Sequence, residues 1–187
     1  MRAGTGLCSV IAGTMLCAGC KPVSVPGEPV GHFSIVGTLR ENTCGQQAVP
    51  AKNPLLFEVE LRRKDSQAFW IQRGQPAVSG SISPAGHFTF SATSSWVAIA
   101  ADQSIGYVGC AISQGDTIEG TLLSEQEQDS DAGFSAESWT GTEHLEMTPV
   151  MGSNCAPALG SEGGAFSTLP CSVRYDLLGT LLAGTGG

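Results

Sequence analysis

The segment LLFEVELR, residues 55–62, decides the fold class of this chain. Apolar side chains occupy every second position, with mostly charged residues between them; the apolar set is Leu55, Phe57, Val59 and Leu61. Successive side chains of a β-strand point to opposite faces, so period-two alternation is typical of a strand with one buried face. The segment therefore predicts a strand in a sheet that is buried on one side.

The same alternation recurs along the chain and predicts an all-β protein. Besides 55–61, the predicted strands are residues 33–39, 68–73, 77–83, 87–92, 96–101, 105–113, 117–124, 135–147 and 171–182. Turn signals separate some of them, at residues 83–86 (Ser-Pro-Ala-Gly) and 115–116 (Gly-Asp). About eight to ten short strands at regular spacing predict a single antiparallel β-barrel or β-sandwich.

A short repeat bears on how the sheet closes. Gly-Thr-Leu occurs at residues 37–39, 120–122 and 179–181. Glycine within a strand often marks a bend or a close approach of two backbones. One interpretation is that the sheet curls at these strands, with the first and last strands adjacent. The alternative is that three common residues recur by chance.

The amino terminus has the three-part order of a secretory signal. Arg2 is its only charge, and an uncharged stretch follows over residues 7–18. This stretch is short for a bilayer span, which needs roughly 20 apolar residues. The pattern therefore predicts export. Plain secretory cleavage near Ala18 or Gly19 is one alternative for the processing of this segment, and an uncleaved anchor is another.

The segment Ala18-Gly19-Cys20 resembles the lipobox of bacterial lipoproteins, although Cys17 stands where that motif usually has Leu. The resemblance implies removal of residues 1–19 as a signal peptide and lipid attachment at Cys20. The attached groups would be a diacylglyceryl thioether and, usually, a further acyl chain such as palmitate. Because Lys21 rather than Asp follows the cysteine, the resemblance also implies an outer-membrane location.

The remaining chain divides into three parts. Residues 20–31 are rich in Pro and Gly and predict an extended tether. Residues 32–182 predict one all-β domain, and the Gly-rich residues 183–187 predict a flexible tail. The 168 residues left after removal of residues 1–19 suffice for one domain with its own core.

The chain is acidic, with a formal net charge of −8 that would become −9 on loss of Arg2. Such a chain is repelled by phosphate backbones, so no nucleic-acid partner is predicted. No Lys or Arg occurs in residues 74–173. We interpret the later part of the chain as a solvated acidic surface; the alternative is a surface that collects cations or a basic partner.

Four cysteines remain once Cys20 and the leader are set aside, and an even number in an exported protein predicts two disulfides. Their positions are Cys44, Cys110, Cys155 and Cys171. Of three possible pairings, the spacing favours Cys155–Cys171, which closes a Gly-rich loop, together with Cys44–Cys110. A zinc site is the alternative, but no Cys-x-x-Cys pair is present and the histidines are scattered.

Motifs of known chemistry are missing from the sequence. There is no Gly-x-Ser-x-Gly, no His-Glu-x-x-His and no Gly-x-x-x-x-Gly-Lys. His144-Leu145-Glu146 begins as a zinc deaminase motif would, but Pro170-Cys171 lacks the second cysteine that such a site needs. The sequence therefore predicts no catalysis, no metal and no cofactor.

Three tryptophans are the candidate ligand contacts: Trp70, Trp96 and Trp139. Trp70 and Trp96 fall opposite the side that their apolar neighbours predict to be the core, so a sugar-stacking platform on one sheet face is conceivable. Packing in the core or under a loop is the commoner role of tryptophan and is the interpretation that we favour.

Together these features predict a non-catalytic lipoprotein of the bacterial envelope that serves as a binding or structural module. Its predicted partner is the membrane, with a small apolar ligand, a carbohydrate or another envelope protein as candidate ligands. The first alternative is a lipocalin-like carrier, since an eight-stranded barrel is wide enough for one small apolar ligand. The second is a hydrolase with a site assembled from scattered residues.

Overall fold

The computed structural model describes residues 25–123 and 136–183, which form one closed β-barrel. The described part contains eight strands: β1 (Glu28–Asn42), β2 (Leu55–Lys64), β3 (Gln67–Ile71), β4 (Val78–Ile82), β5 (His87–Ile99), β6 (Cys110–Leu123), β7 (Ser138–Pro149) and β8 (Cys171–Leu181). Two short 3-10 turns, Ala156–Ala158 and Gly160–Glu162, lie between β7 and β8. The predicted signal peptide, Cys20 and residues 184–187 of the predicted tail fall outside the described residues.

Each strand pairs in antiparallel fashion with its neighbours in sequence, and β8 pairs with β1 to close the barrel. The predicted all-β antiparallel fold is confirmed, and of the two predicted architectures the chain adopts the barrel. The interpretation that the first and last strands are adjacent is also confirmed, since Ile35 of β1 lies opposite Gly179 of β8. None of the helical segments among the described residues is long and apolar enough to span a membrane.

Two predicted strand boundaries are wrong. The predicted strands 87–92 and 96–101 are one continuous strand, β5, which ends at Ile99. The predicted strands 105–113 and 117–124 merge into β6, which begins only at Cys110, so residues 105–109 belong to the preceding loop. Gly115 and Asp116, predicted as a hairpin turn, lie in the middle of β6, opposite Thr93 and Ala92 of β5. Turn-forming residues are tolerated here because both neighbouring strands hold β6 extended through its backbone hydrogen bonds.

The tether is also shorter than predicted. β1 begins at Glu28, and Val30 is buried, so residues 28–31 belong to the barrel rather than to the tether. Pro29 is accommodated at a register shift between Pro29 and Gly31, where the missing backbone N–H does not interrupt a regular ladder. Arg62 further fixes this segment by donating two hydrogen bonds to the carbonyl oxygen of Gly27, at 3.0 and 2.7 Å.

The barrel is filled at its centre by aromatic side chains. Trp139 is fully buried, and its ring lies 5.2 Å from Phe88 and 5.7 Å from Trp70 between centroids. Glycines make room for these rings: a Cβ atom at Gly179 would overlap the indole of Trp139, and one at Gly120 would overlap the ring of Phe88. Two of the three Gly-Thr-Leu repeats therefore mark places where a ring lies directly on the backbone.

Two disulfides are present, Cys44–Cys171 and Cys110–Cys155, with Cα–Cα distances of 4.9 and 4.7 Å. The prediction that these four cysteines form disulfides is confirmed, whereas the predicted pairs Cys155–Cys171 and Cys44–Cys110 are wrong. Barrel closure places Cys44, which follows β1, beside the start of β8. The loop after β7 instead runs along β6, where Asn154 N–H donates to the Gly109 carbonyl at 2.9 Å and brings Cys155 to Cys110.

The barrel has two different ends. At the terminal end, β1 begins and β8 finishes beside the short turns at residues 65–66 and 83–86. At the loop end lie the connections formed by residues 43–54, 72–77, 100–109 and 150–170, whereas β6 finishes and β7 begins at the terminal end, joined by residues 124–137. Both disulfides join residues of the loop end. The segment that leads to Cys20 therefore leaves from the end opposite the disulfide-linked loops.

Candidate functional site

The wall of the barrel is interrupted on one side. β4 pairs with β5 at only three positions, Gly80 to Ile82 against Phe88 to Phe90. Beyond Phe90, β5 continues for nine residues that pair with β6 alone. Residues 91–98 are consequently exposed, including Ala92, which points to the same side as the buried Phe90. The short β4 thus leaves a gap between itself and the loop-end half of β5.

A partly enclosed cavity of about 70 Å³ lies behind this gap, and we call it the lateral cleft. Its lining is mainly apolar, with two acidic and two neutral polar side chains: Trp70, Gln72, Val78, Phe90, Ser91, Ala92, Asp116, Ile118 and Glu143. Residues that pair across two neighbouring strands point to the same face of the sheet. Trp70 pairs with Val78, and Asp116 pairs with Ala92, so these side chains all lie on the inward side of the barrel. The cleft is therefore a pocket with apolar walls and an acidic floor.

The two carboxylates are neighbours across β6 and β7. Glu143 lies opposite Ile118 of β6, two residues along the strand from Asp116, so the acidic side chains are diagonal partners on the inward face. Asp116 Oδ1 and Glu143 Oε2 are both fully buried and have no hydrogen-bond partner. Buried polar atoms are normally paired, so an unpaired carboxylate oxygen indicates a place that another group can fill.

Burial controls the protonation of this pair. Burial and, to a smaller extent, the charge of Asp116 together raise the pKa of Glu143 to about 7. Burial alone raises the pKa of Asp116. On β8, Tyr175 lies opposite Glu143. The pKa of Tyr175 is raised mainly by burial and also by the charge of Glu143. At neutral pH the Glu143 carboxyl therefore exists in comparable amounts of its charged and neutral forms.

The aromatic wall of the cleft is continuous with the core. The ring of Trp70 lies 5.5 Å from Phe90 and 6.2 Å from Phe57 between centroids. These contacts fix Trp70 while leaving part of its surface on the cleft. A cleft of this composition favours a small group that carries positive charge, because both the carboxylates and the aromatic faces attract cations.

The structure separates the three tryptophans that the sequence offers as ligand contacts. Trp70 and Trp139 pack edge to face inside the barrel, which agrees with the favoured core interpretation for these two. Trp96 lies far along β5, opposite Ile112, and is 37% exposed. The three rings therefore form no common platform, and Trp70 alone lines the lateral cleft.

The side of β3 that the apolar neighbours of Trp70 predict to be the core is the wrong side. Trp70 pairs with Leu61 and Ala68 pairs with Gly80, and Trp70, Leu61 and Ala68 are buried residues of the core. Phe69 lies between Ala68 and Trp70 and points to the other side of β3. In a five-residue strand with bulky apolar residues on both faces, alternation alone does not identify the inward side.

Sequence reasoning did not identify Asp116 or Glu143. Asp116 is hidden in a Gly-Asp pair that resembles a turn. For Glu143 a signal exists, since Glu143 shares its strand parity with Trp139 and Leu145, both of which turn inward. An acidic residue on the apolar side of a predicted strand is therefore the sequence signal from which Glu143 can be recognised.

A hydroxyl–histidine contact occurs elsewhere, on the outer face of the barrel. His87 Nδ1 and Thr121 Oγ1 are 2.8 Å apart in an open depression that also contains Glu119 and Asp176. His87 is exposed and lies directly opposite Thr121 in the β5–β6 ladder. We interpret the contact as a cross-strand pair that stabilises the sheet.

Comparisons with known proteins do not assign a family. No family model, no curated protein and no solved structure matches this chain. Among the described residues, no group of three or more His, Cys, Asp or Glu side chains is arranged to hold a metal ion. Any functional conclusion therefore depends on the geometry of the lateral cleft and on the chain that precedes the barrel.

Proposed function

We propose that this protein is a non-catalytic lipoprotein of the bacterial envelope that binds a small ligand in its lateral cleft. The observation that carries the proposal is the cleft itself, where two buried carboxylate oxygens without partners face an aromatic wall. Proteins retain such costly groups chiefly at functional sites. A barrel with a purely structural role would gain stability from apolar side chains at both positions.

Two features support export and anchoring. Disulfides persist in oxidising compartments outside the cytosol, and this chain forms two of them. The lipobox-like segment ending in Cys20 supplies an attachment site, and lipidation with two or more acyl chains gives lasting membrane association. Because Lys21 rather than Asp follows Cys20, the location that we propose is the outer membrane. The lateral cleft would open toward the loop end, away from the lipid.

A lipocalin-like carrier remains the second candidate, because an eight-stranded barrel of this kind is consistent with it. Pockets that enclose whole small molecules have volumes of roughly 300–1,000 Å³. The cleft offers about 70 Å³, because Trp139, Phe88 and Phe90 fill the barrel beneath it. The cleft therefore suits one group of a ligand, with the rest of that ligand lying outside the wall.

A hydrolase is the remaining alternative. Paired carboxylates with different environments are the groups that such an enzyme uses as acid and base. The discriminating result is turnover of chromogenic ester or glycoside substrates that disappears in Glu143→Gln. Absence of turnover together with ligand binding favours the non-catalytic function.

The anchor is tested by cell fractionation. Wild-type protein should sediment with membranes and carry acyl chains on Cys20 by mass spectrometry, whereas Cys20→Ser should appear in the soluble fraction. Cys17→Ser is the matched control, since it changes a neighbouring cysteine and leaves the attachment site intact. A wild type that is as soluble as Cys20→Ser, or a mature mass without acyl chains, would overturn the lipoprotein assignment.

A further inference from the structure

We propose that the lateral cleft binds the primary ammonium group of an alkylamine, held by the carboxylates of Asp116 and Glu143 against the faces of Trp70 and Phe90. This inference rests on the proposed binding function and names the chemical class of its ligand. Candidate sources are a free amine or the end of a lysine side chain, which share the same head group.

The first argument is charge. Asp116 Oδ1 and Glu143 Oε2 are buried acceptors without a donor. Strands β4 to β7 lie within residues 74–173, which contain no Lys or Arg. On the side of β3, Arg73 follows the lining residue Gln72, but Arg73 is exposed and does not line the cleft. His87 and His144 pair with Thr121 and Thr117 on the outer face and do not reach the cleft. The lining therefore contains no cationic side chain, and a ligand can supply the positive charge.

The second argument is the chemistry of the lining. A divalent metal such as calcium requires about six to eight oxygen ligands. Besides the two carboxylates, only Gln72 and Ser91 bring side-chain oxygens to the lining, and the aromatic walls provide none. An ammonium group instead donates three hydrogen bonds and is attracted to aromatic faces. Trp70 and Phe90 line the cleft beside the two carboxylates. The combination of two acceptors and two rings fits an ammonium group better than it fits a metal ion.

The third argument is size and access. The cleft volume of about 70 Å³ corresponds to roughly two water molecules at their share of liquid volume. That space admits a primary ammonium with its first carbons and excludes a bulky quaternary ammonium. The gap beside the exposed Ala92 leaves a route through the wall for the rest of an alkyl chain.

The test is a titration of the purified mature protein with ethylammonium chloride at pH 8, followed by NMR of the tryptophan indole signals. Sodium chloride keeps the ionic strength constant. We expect saturable shifts of the Trp70 signal with a dissociation constant on the order of 1 mM, close to the ceiling for a ligand of about three non-hydrogen atoms. Sodium acetate and tetramethylammonium chloride should cause no saturable shift.

Matched variants connect binding to the cleft. Asp116→Asn and Glu143→Gln should each weaken ethylammonium binding at least tenfold. Glu119→Gln is the control, because it removes the same charge from the exposed face of β6, next to the strand that carries Glu143. Ala92→Phe should abolish binding by filling the cleft while both carboxylates remain. Equal affinities in Glu119→Gln and Glu143→Gln would show non-specific attraction to an acidic protein and overturn the proposal.

The pH dependence provides a further readout. The titratable groups that face Glu143 are Asp116 from β6 and Tyr175 from β8; the β3, β4 and β5 residues of the cleft are uncharged. Affinity should fall about tenfold between pH 8 and pH 6, because the pKa of Glu143 is about 7. Equal affinity at both pH values would contradict a role for Glu143.

The outcomes separate the ligand class from the broader function. If the wild-type protein is lipidated but shows no saturable ethylammonium binding, the ammonium site is wrong and the membrane-anchored function stands. A soluble, non-acylated wild type that binds ethylammonium overturns the anchor and leaves the site. Stabilisation by calcium chloride but not by ethylammonium chloride, lost in Glu143→Gln, would replace the ammonium site with a metal site.

Discussion

At the scale of single residues, the unusual feature is the placement of two acids on the inward face of a barrel. Burying a carboxylate without a partner is costly, and the cost is lowered when the group takes up a proton. Burial raises the pKa of both Asp116 and Glu143, so each carboxyl takes up a proton at a higher pH than an exposed carboxyl does. The barrel therefore retains a pair whose charge changes within the physiological pH range.

The raised pKa of Glu143 predicts that acid stabilises this protein. The folded-state pKa of about 7 lies above the ordinary value of 4.5, so the folded chain binds more protons than the unfolded chain between these values. The contribution of Glu143 to stability should be complete below about pH 4.5 and should be lost as the pH rises through about 7. The expected loss from this group is on the order of 2–3 kcal/mol. Urea unfolding at pH 5 and pH 8 measures it.

Glu143→Gln isolates this contribution from other titrating groups. The variant should match the wild type near pH 5 and exceed its stability at pH 8, because the amide remains neutral at both pH values. Glu119→Gln, on the exposed outer face, should follow the wild type throughout. Parallel pH profiles for wild type and Glu143→Gln would mean that the Glu143 carboxylate is well solvated in the folded state.

At the scale of strands, alternation predicted most of the sheet. It succeeded where one face is apolar throughout, as in β2, and where the turn at residues 83–86 ends β4. It failed at Gly115 and Asp116, where local turn preference opposes strand pairing on both sides. The same residue, Asp116, belongs to the candidate site. Local sequence rules fail there, as they often do at functional sites, and this agrees with the binding role that we propose for Asp116.

Close packing of rings on glycine also belongs to this scale, and it gives a direct prediction. Gly179→Ala places a Cβ atom in the indole of Trp139, which is fully buried and cannot move away. Overpacking of a filled core typically costs about 1–3 kcal/mol, so unfolding in urea should shift to clearly lower concentrations. Tryptophan fluorescence of the folded variant should show a changed environment for Trp139.

Gly115→Ala is the matched control, since Gly115 also lies within a strand but has no atom near its missing side chain. This change should be neutral or stabilise the protein by up to about 1 kcal/mol, because alanine restricts the unfolded chain. Equal losses in the two variants would show that glycine is required for strand geometry in general rather than for the Trp139 contact.

At the scale of the whole molecule, closure of the barrel decides the disulfide pairing. Cys44 and Cys171 are separated by 127 residues and meet only because β1 pairs with β8. The sequence offered adjacency of these strands as one of two interpretations of the Gly-Thr-Leu repeat, and it provided no distance between particular cysteines. A choice based on short loops therefore favoured the wrong pair. Spacing along the chain is a poor guide when antiparallel closure brings the two termini of a domain together.

This pairing predicts unequal contributions of the two disulfides to stability. In the chain-entropy description, cross-links that span 127 and 45 residues stabilise the fold by about 5 and 4 kcal/mol. The double variant Cys44→Ala/Cys171→Ala should therefore lose about 1 kcal/mol more than Cys110→Ala/Cys155→Ala in urea unfolding.

The first cross-link also holds the β1–β8 seam, where Thr43 N–H donates to the Ser172 carbonyl at 2.9 Å. Hydrogen exchange should consequently rise along that seam in the first variant and only in residues 150–170 in the second. Peptide mapping without reduction checks the premise, and recovery of a Cys155–Cys171 peptide from native protein would contradict it.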